Sequence, residues 1–249
     1  MLLQLSTWQE VETYLRTSTG IIVPIGSTEQ HGPNGFIGTD ALCPETVARG
    51  VAENTGALVA PTLSIGMAQH HLGFAGSITL RPSTLMAVVC DVVQSLARHG
   101  FERCYFLNGH GGNIATVTAA FSEVYAQRSL APPGANHPGV RCKLGNWYSG
   151  AGVRRVSSEL FAGAEGSHAT PSEVSLTWFA YPEHVKNVPM SPAIAPSGTF
   201  YDADDYRTRF ADGRIGSNPA LASVQAGERL FHAAVADVSA EYQAFLSAP

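Results

Sequence analysis

Charge is scarce in this chain. Asp, Glu, Lys and Arg make up only 14% of the 249 residues, against about 25% in an ordinary soluble domain, so much of the surface is expected to be covered in an oligomer. The 15 basic residues form no cluster and the net charge is −5, which leaves no electrostatic footprint for a nucleic-acid or anionic-membrane partner. No apolar run approaches the roughly 18 residues of a membrane span, and Met1-Leu2-Leu3-Gln4-Leu5-Ser6 has no basic region followed by a signal-length apolar stretch. A cytoplasmic protein is expected. Cysteine is sparse too. Cys43, Cys90, Cys104 and Cys142 contain no C-x-x-C pair, which argues against a zinc-finger or disulfide framework and for reduced, mostly buried thiols.

What is present is an alternation of short apolar runs with helical patterns. Runs at Ile21 to Ile25, Leu58 to Leu63, Cys104 to Leu107 and Val140 to Leu144 are bounded by Gly, Pro or Asn and read as buried strands. Helical spacing covers Thr7 to Arg16, Cys43 to Asn54, Ser83 to His99 with Ser83 as N-cap, Asn113 to Ser129, Pro171 to Ala180 and Ala220 to Ala248. Parallel strands need crossover helices, so the expected fold is α/β, a three-layer αβα sandwich with a mostly parallel sheet. The stretch from Val188 to Pro219 is rich in Pro, Gly, Ser and Asp and reads as an irregular excursion that helps line a site or an interface. With no repeat, low-complexity tract or linker, residues 1–249 are expected to form one domain.

Four places carry chemistry. In Gly26-Ser27-Thr28-Glu29-Gln30-His31-Gly32, Glu29 and His31 stand two apart in an extended segment and face one side, with Gln30 turned away; the plainer reading is a solvent-facing strand end. Asp40, after Gly38-Thr39, is either a helix-approach cap or a carboxylate able to bridge two cations. Asn108-Gly109-His110-Gly111-Gly112-Asn113 follows a strand, where open α/β sheets bind ligands, with Asn113 also suited to an N-cap. In Gly166 to Ser175, Pro171 opens a helix, Thr170 and Glu173 fit a capping box, and His168 sits in the preceding loop. Together Glu29, His31, Asp40, His110 and Glu173 offer two imidazoles and three carboxylates, a mixed N/O set suited to Zn²⁺ and/or Mn²⁺, with Fe²⁺ also admissible. Glu165, Gln69, His70 and His71 either line the same pocket or are ordinary loop residues.

These motifs, with Ser6-Thr7-Trp8 and His71-Leu72-Gly73-Phe74-Ala75-Gly76-Ser77-Ile78, resemble the creatininase family, the creatinine amidohydrolases and their relatives, in the expected order over most of residues 6–180. The resemblance implies an αβα fold, a homohexamer and a two-metal site: Glu29, Asp40 and His110 on one cation, His31, Asp40 and Glu173 on the other, with Asp40 bridging. It also implies a metal-dependent amidohydrolase that splits a non-peptide C–N bond of a small amide with an activated water, His168 protonating the leaving nitrogen or, alternatively, hydrogen-bonding a ligand carboxylate. Three positions depart from the creatinine-hydrolysing branch. Gly112 stands where it has a metal-binding glutamate, Ala164 where it has a substrate-covering tryptophan, and Thr170 where glycine is usual. The first two point away from creatinine and toward a formamide or a larger amide. Creatinine hydrolysis proper and a catalytically silent scaffold with this fold are the rival expectations.

Overall fold

A computed structural model describes residues 1–132, 135 and 139–249. Its centre is a four-stranded sheet of β1 (Gly20–Ile25), β2 (Leu58–Val59), β3 (Arg103–Asn108) and β4 (Arg141–Asn146), in the order β2-β1-β3-β4. All three pairings are parallel. The helices are α1 (Trp8–Leu15), α2 (Thr39–Thr55), α3 (Pro82–Arg98), α4 (Ile114–Ser129), α5 (Ala151–Phe161), α6 (Pro171–Ala180), α7 (Ala203–Arg209) and α8 (Val224–Ser247).

Successive strand side chains point to opposite faces, and the sheet divides its core accordingly. Ile22, Tyr105 and Leu107 pack with α2, α5, α6 and α8. Ile21, Val23, Ile25, Cys104 and Phe106 pack with α3 and α4, and α1 leans on the same layer. Both faces being buried explains why these strands read as continuous apolar runs. The three-layer α/β architecture matches the expectation from sequence. No helix among the described residues is long and apolar enough to cross a membrane.

Several boundaries differ. The second strand is only Leu58–Val59, because Pro61 has no N–H to give; the chain rejoins at one isolated bridge, Leu63 to Ile25. Helix α3 begins at Pro82 with Arg81 as its uncapped N-cap, since proline's fixed φ suits the first helical position, so Ser83 is not the cap. Helix α2 starts at Thr39 and takes Asp40 into its first turn. The carboxylate therefore belongs to the helix instead of its approach. The excursion holds α7, and α5 is a helix beyond those read from the sequence. Arg214, fully buried, ties the excursion together by bonding the carbonyls of Pro192 and Ala193, each at 2.9 Å, and the Asp212 carboxylate at 2.7 Å.

Backbone meets backbone closely just past the carboxyl ends of β1 and β3. A Cβ on Gly26 or Gly109 would collide with the carbonyl oxygen of Asp40. Pro44, four residues on and lacking an N–H, leaves that carbonyl outside the helical ladder. Two glycines thus let the start of α2 rest directly on the strand ends, and one seat fixes Asp40 between the motifs of β1 and β3. Gly109→Ala is expected to displace the first turn of α2 and destabilise the fold by about 1–3 kcal/mol, the usual range for overpacking. Gly111→Ala, where nothing lies within 4 Å of the added atom, is expected to be neutral. Thermal unfolding of the two variants checks this; equal melting temperatures would contradict it.

Candidate metal centre

Each of the three loops delivers a ligand-type side chain with its hydrogen bonds already assigned. After β1 the chain passes through Ser27, whose hydroxyl donates to Glu29 Oε2 at 2.8 Å. His31 Nδ1 donates to the Glu29 carbonyl at 3.0 Å, which leaves Nε2 facing Asp40 Oδ1 at 3.2 Å and Glu173 Oε2 at 3.9 Å. His110 is held the other way round. Its Nε2 donates to the Met67 carbonyl at 2.9 Å, and Nδ1 faces Asp40 Oδ2 at 3.0 Å. Fixing one ring nitrogen to a carbonyl so that the other can bind a cation is how metal-ligating imidazoles are oriented.

The two asparagines of the second motif secure that geometry. Asn108 accepts from the His110 N–H at 3.2 Å and donates to the His110 carbonyl at 2.7 Å. Asn113 donates to the Gly26 carbonyl at 2.9 Å and accepts from Met67 N–H at 3.0 Å, so its side chain clamps loops together and makes no cap bond at the start of α4. In the third motif the capping box is real: Thr170 N–H donates to Glu173 Oε1 at 2.5 Å, and Glu173 N–H to Thr170 Oγ1 at 3.2 Å. Box and site coexist, because the box takes one carboxylate oxygen and leaves the other facing His31. Thr170, extended at φ −74°, serves as that N-cap without strain. The departure from glycine there is accommodated.

Two clusters result, Glu29–Asp40–His110 and His31–Asp40–Glu173, each with its ligand atoms within 4.8 Å of one another. Asp40 belongs to both. Glu29 Oε1 and Asp40 Oδ2 are buried and make no aligned hydrogen bond, a costly arrangement unless a cation takes their lone pairs. Contacts near 3 Å between nitrogen and oxygen are close to the roughly 3.3 Å that two ligands of one tetrahedral ion show. The residues fit a pair of divalent cations.

His168 enters a third grouping with Glu29 and His31. Its Nε2 donates to the Gln30 carbonyl at 2.8 Å, and its Nδ1 stands 3.8 Å from Glu29 Oε1. Sequence reasoning missed the support beneath it. Gln30, 6% exposed, does turn away from the cluster, but its amide nitrogen meets His71 Nδ1 and the Gly213 carbonyl, each at 2.9 Å. His71 Nδ1 therefore accepts, and its Nε2 stands 3.1 Å from Glu29 Oε1 without an aligned hydrogen bond. The cluster opens into a cavity of about 790 Å³ lined in part by His70, His71, Glu165, Phe200 and Tyr206. Gln69 is exposed and outside it. The tandem histidines were visible in sequence, but which of them reaches Glu29 depends on Gln30, and Tyr206 comes from a helix the composition hid.

Burial and the neighbouring Asp40 push the Glu29 carboxyl up to about 8. Burial likewise raises Glu173 to about 7, though the facing His31 works against it. For His31 and His110 burial favours the neutral ring, but the surrounding carboxylates win and hold them at about 10 and about 9. Burial, with the charge on His31, holds His168 well below the ordinary histidine value. Asp40 is depressed: burial opposes ionisation, and the two imidazoles overcome it.

A layered α/β fold gathers this donor set beyond its strand ends as a candidate metal site, and the comparisons identify the family, one of hydrolases. The family model for creatininase, creatinine amidohydrolase, matches residues 4–242; the chain belongs to the creatininase family. It is similar to creatinine amidohydrolase of Pseudomonas putida, 32% identical over 94% of this chain and 92% of that protein. It is also similar to 3-dehydro-scyllo-inosose hydrolase of Thermotoga maritima, 33% identical over 70% of this chain and 54% of that one. With the mycofactocin precursor peptide peptidase of Mycobacterium tuberculosis it shares 35% identity over 45% of this chain and 48% of that one. Among solved structures, a manganese creatininase superposes with a TM-score of 0.85 at 26% identity over 99% of both chains. A creatininase variant of the Zn–Zn type gives 0.85 at 25% identity over 99% and 98%.

Above pH 6.5 the depressed histidines are neutral in both folded and unfolded chains. Glu29, Glu173, His31 and His110 then decide the slope, since each binds its proton more tightly when folded. Stability contributed by such groups is lost as pH rises toward their folded pKa values. The metal-free protein is expected to lose thermal stability from pH 7 to 9, and the gain on adding Zn²⁺ or Mn²⁺ to widen as the cation displaces those protons. Melting temperatures with and without metal across this range check it; a metal-free value that rises with pH would contradict it.

Proposed function

We propose that this chain is a two-metal amidohydrolase that splits a non-peptide C–N bond in an amide or formamide larger than creatinine. Glu29, Asp40 and His110 hold one cation, and His31, Asp40 and Glu173 the other. Residues 1–249 act as one domain that assembles as a homohexamer. The observation that carries the reading is the placement of Asp40, whose Oδ1 and Oδ2 each face a different imidazole at 3.2 and 3.0 Å. Zn²⁺ or Mn²⁺ bound there supplies a water of lowered pKa and a Lewis acid for the amide oxygen.

His168 moves the proton. With Nε2 tied to the Gln30 carbonyl, Nδ1 is the free lone pair, and the low pKa keeps it unprotonated at rest. Nδ1 takes the proton released as water oxygen bonds to the amide carbon and passes it to the nitrogen as the C–N bond breaks. Gln30 and Tyr206 hold the surrounding shell, the tyrosine hydroxyl donating to the Gly213 carbonyl at 2.8 Å.

The substrate follows from what is small. A Cβ on Gly112 would collide with His110 Nε2, so a glutamate there has no room while His110 keeps its bond to Met67. Ala164 is buried and does not line the cavity. The volume of about 790 Å³ lies in the range of sites for drug-sized ligands, and a small ring would be poorly positioned in it. Creatinine hydrolysis is the second reading, favoured by the full-length similarity to the Pseudomonas putida enzyme.

Asp40→Asn is expected to lose both cations together, because an amide lacks the charge and the second equivalent oxygen; metal analysis that finds either site intact contradicts the bridge. In His168→Ala, kcat is expected to fall by on the order of 10² to 10⁴ with metal content unchanged. Loss of a cation in that variant would make His168 a ligand instead. Creatinine is expected to be turned over far more slowly than an N-formyl compound. A kcat/KM for creatinine of roughly 10⁴ M⁻¹s⁻¹ or above, ordinary for an enzyme on its own substrate, would establish the second reading.

A further inference from the structure

The cavity has two unlike walls. On one side stand His70, Phe200 and Tyr206, with the His70 and Phe200 rings stacked 4.7 Å apart and Tyr206 edge-on to Phe200 at 4.9 Å. A second stretch of the lining comes from α5, which contributes Arg154, Ser157 and Ser158. These lie at i, i+3 and i+4 and share one helical face.

That face is anchored from behind. Asp237 on α8 accepts from the Val153 N–H at 3.0 Å, and the same carboxylate fills the space where a Cβ on Gly150 would be. A carboxylate supplied by another helix therefore caps the start of α5, where Gly150 has no side chain to do so.

Charge along the cavity is lopsided. Its acidic lining residues are Asp40, Glu165 and Glu173. Asp40 and Glu173 face imidazoles, and Glu165 accepts from the Ser172 hydroxyl. Arg154 is the one permanently cationic residue of the lining, and among the described residues its guanidinium has no ion-pair or hydrogen-bond partner. Arg209 and Arg229 pair with Asp205 and Glu159, both at 2.6 Å, whereas Arg154, like Arg155 beside it, pairs with nothing among the described residues; what sets Arg154 apart is its place in the cavity lining. A planar guanidinium presents parallel N–H groups that match a carboxylate.

We infer that Arg154, with Ser157 and Ser158 beside it, receives a carboxylate of the substrate, so the amide hydrolysed is an acidic one whose planar body lies along the aromatic wall. The inference rests on the amidohydrolase reading for the reaction but has its own measurement. Arg154 sets which amide is positioned and takes no part in breaking the bond.

The test uses the metal-loaded protein and four probes, formanilide and the 2-, 3- and 4-formamidobenzoates, which place a carboxylate at three reaches from one scissile bond. The best formamidobenzoate is expected to exceed formanilide in kcat/KM by about tenfold or more. Arg154→Gln should cut that ratio about 10- to 100-fold, mainly through KM, as loss of a charge-assisted contact does. Arg155→Gln removes the same charge one residue along, outside the cavity lining, and should keep the ratio. A ratio untouched by Arg154→Gln, or lowered equally by Arg155→Gln, overturns the inference. If none of the four probes is cleaved, the amidohydrolase reading fails by itself, and calorimetry with the corresponding aminobenzoates decides the subsite. Weaker binding to Arg154→Gln than to the parent and to Arg155→Gln supports it; equal or absent binding overturns it.

Discussion

Asp40 reaches both imidazoles because its peptide occupies space that a side chain on Gly26 or Gly109 would fill. Those glycines end β1 and β3, neighbouring strands paired from Gly20–Arg103 to Ile25–Asn108. The register puts the two motif loops side by side, and the contact with α2 adds the third component. Without that approach the carboxylate would sit a full van der Waals shell farther out, and Oδ1 and Oδ2 could not address separate donor clusters. Buried carboxylates in such number are costly to leave unpaired, so the same seat makes the site dependent on positive charge. Protons on His31 and His110 supply that charge in the metal-free chain, and the donor geometry suits cations in their place.

Behind the ligands a set of neutral hydrogen bonds decides which atom of each ring is available. Carbonyls of Glu29, Met67 and Gln30 take one nitrogen each from His31, His110 and His168. Gln30 fixes His71 in turn. These partners come from four separate stretches of chain, and the excursion carrying Gly213 and Tyr206 is itself held by the buried Arg214. The irregular segment is thus structural to the site, since it carries the acceptors that orient the Gln30 amide.

Local chemistry was largely legible in the sequence. The T-x-x-E box, the Pro-initiated α6, the four strands and the five ligand-type residues all follow from short-range pattern, because capping, proline geometry and burial on both faces act within a few residues. Asp40 was harder. Its place inside α2 instead of before it depends on tertiary contact with Gly26 and Gly109, which no propensity encodes. Gln30 could be assigned a direction but not a partner, since His71 lies 41 residues away. Helix α7 lay inside a stretch whose Pro and Gly content reads as irregular, although its own signals are local: Asp202 caps it by accepting from the Asp205 N–H at 2.9 Å, and Arg209 pairs with Asp205 at 2.6 Å. Asn113 looked like an N-cap for the right chemical reason, yet its amide is drawn to Gly26 and Met67.

Asp40 is proposed to join two cation sites in one chain. The most direct measurement of this is the metal content of the purified protein after depletion and reconstitution with Zn²⁺ or Mn²⁺, read by elemental analysis together with turnover of an amide. Two tightly held equivalents per chain, with activity returning as the second is filled, is the predicted result. A protein that turns over amide with no metal, or that saturates at one equivalent with full activity, would contradict it.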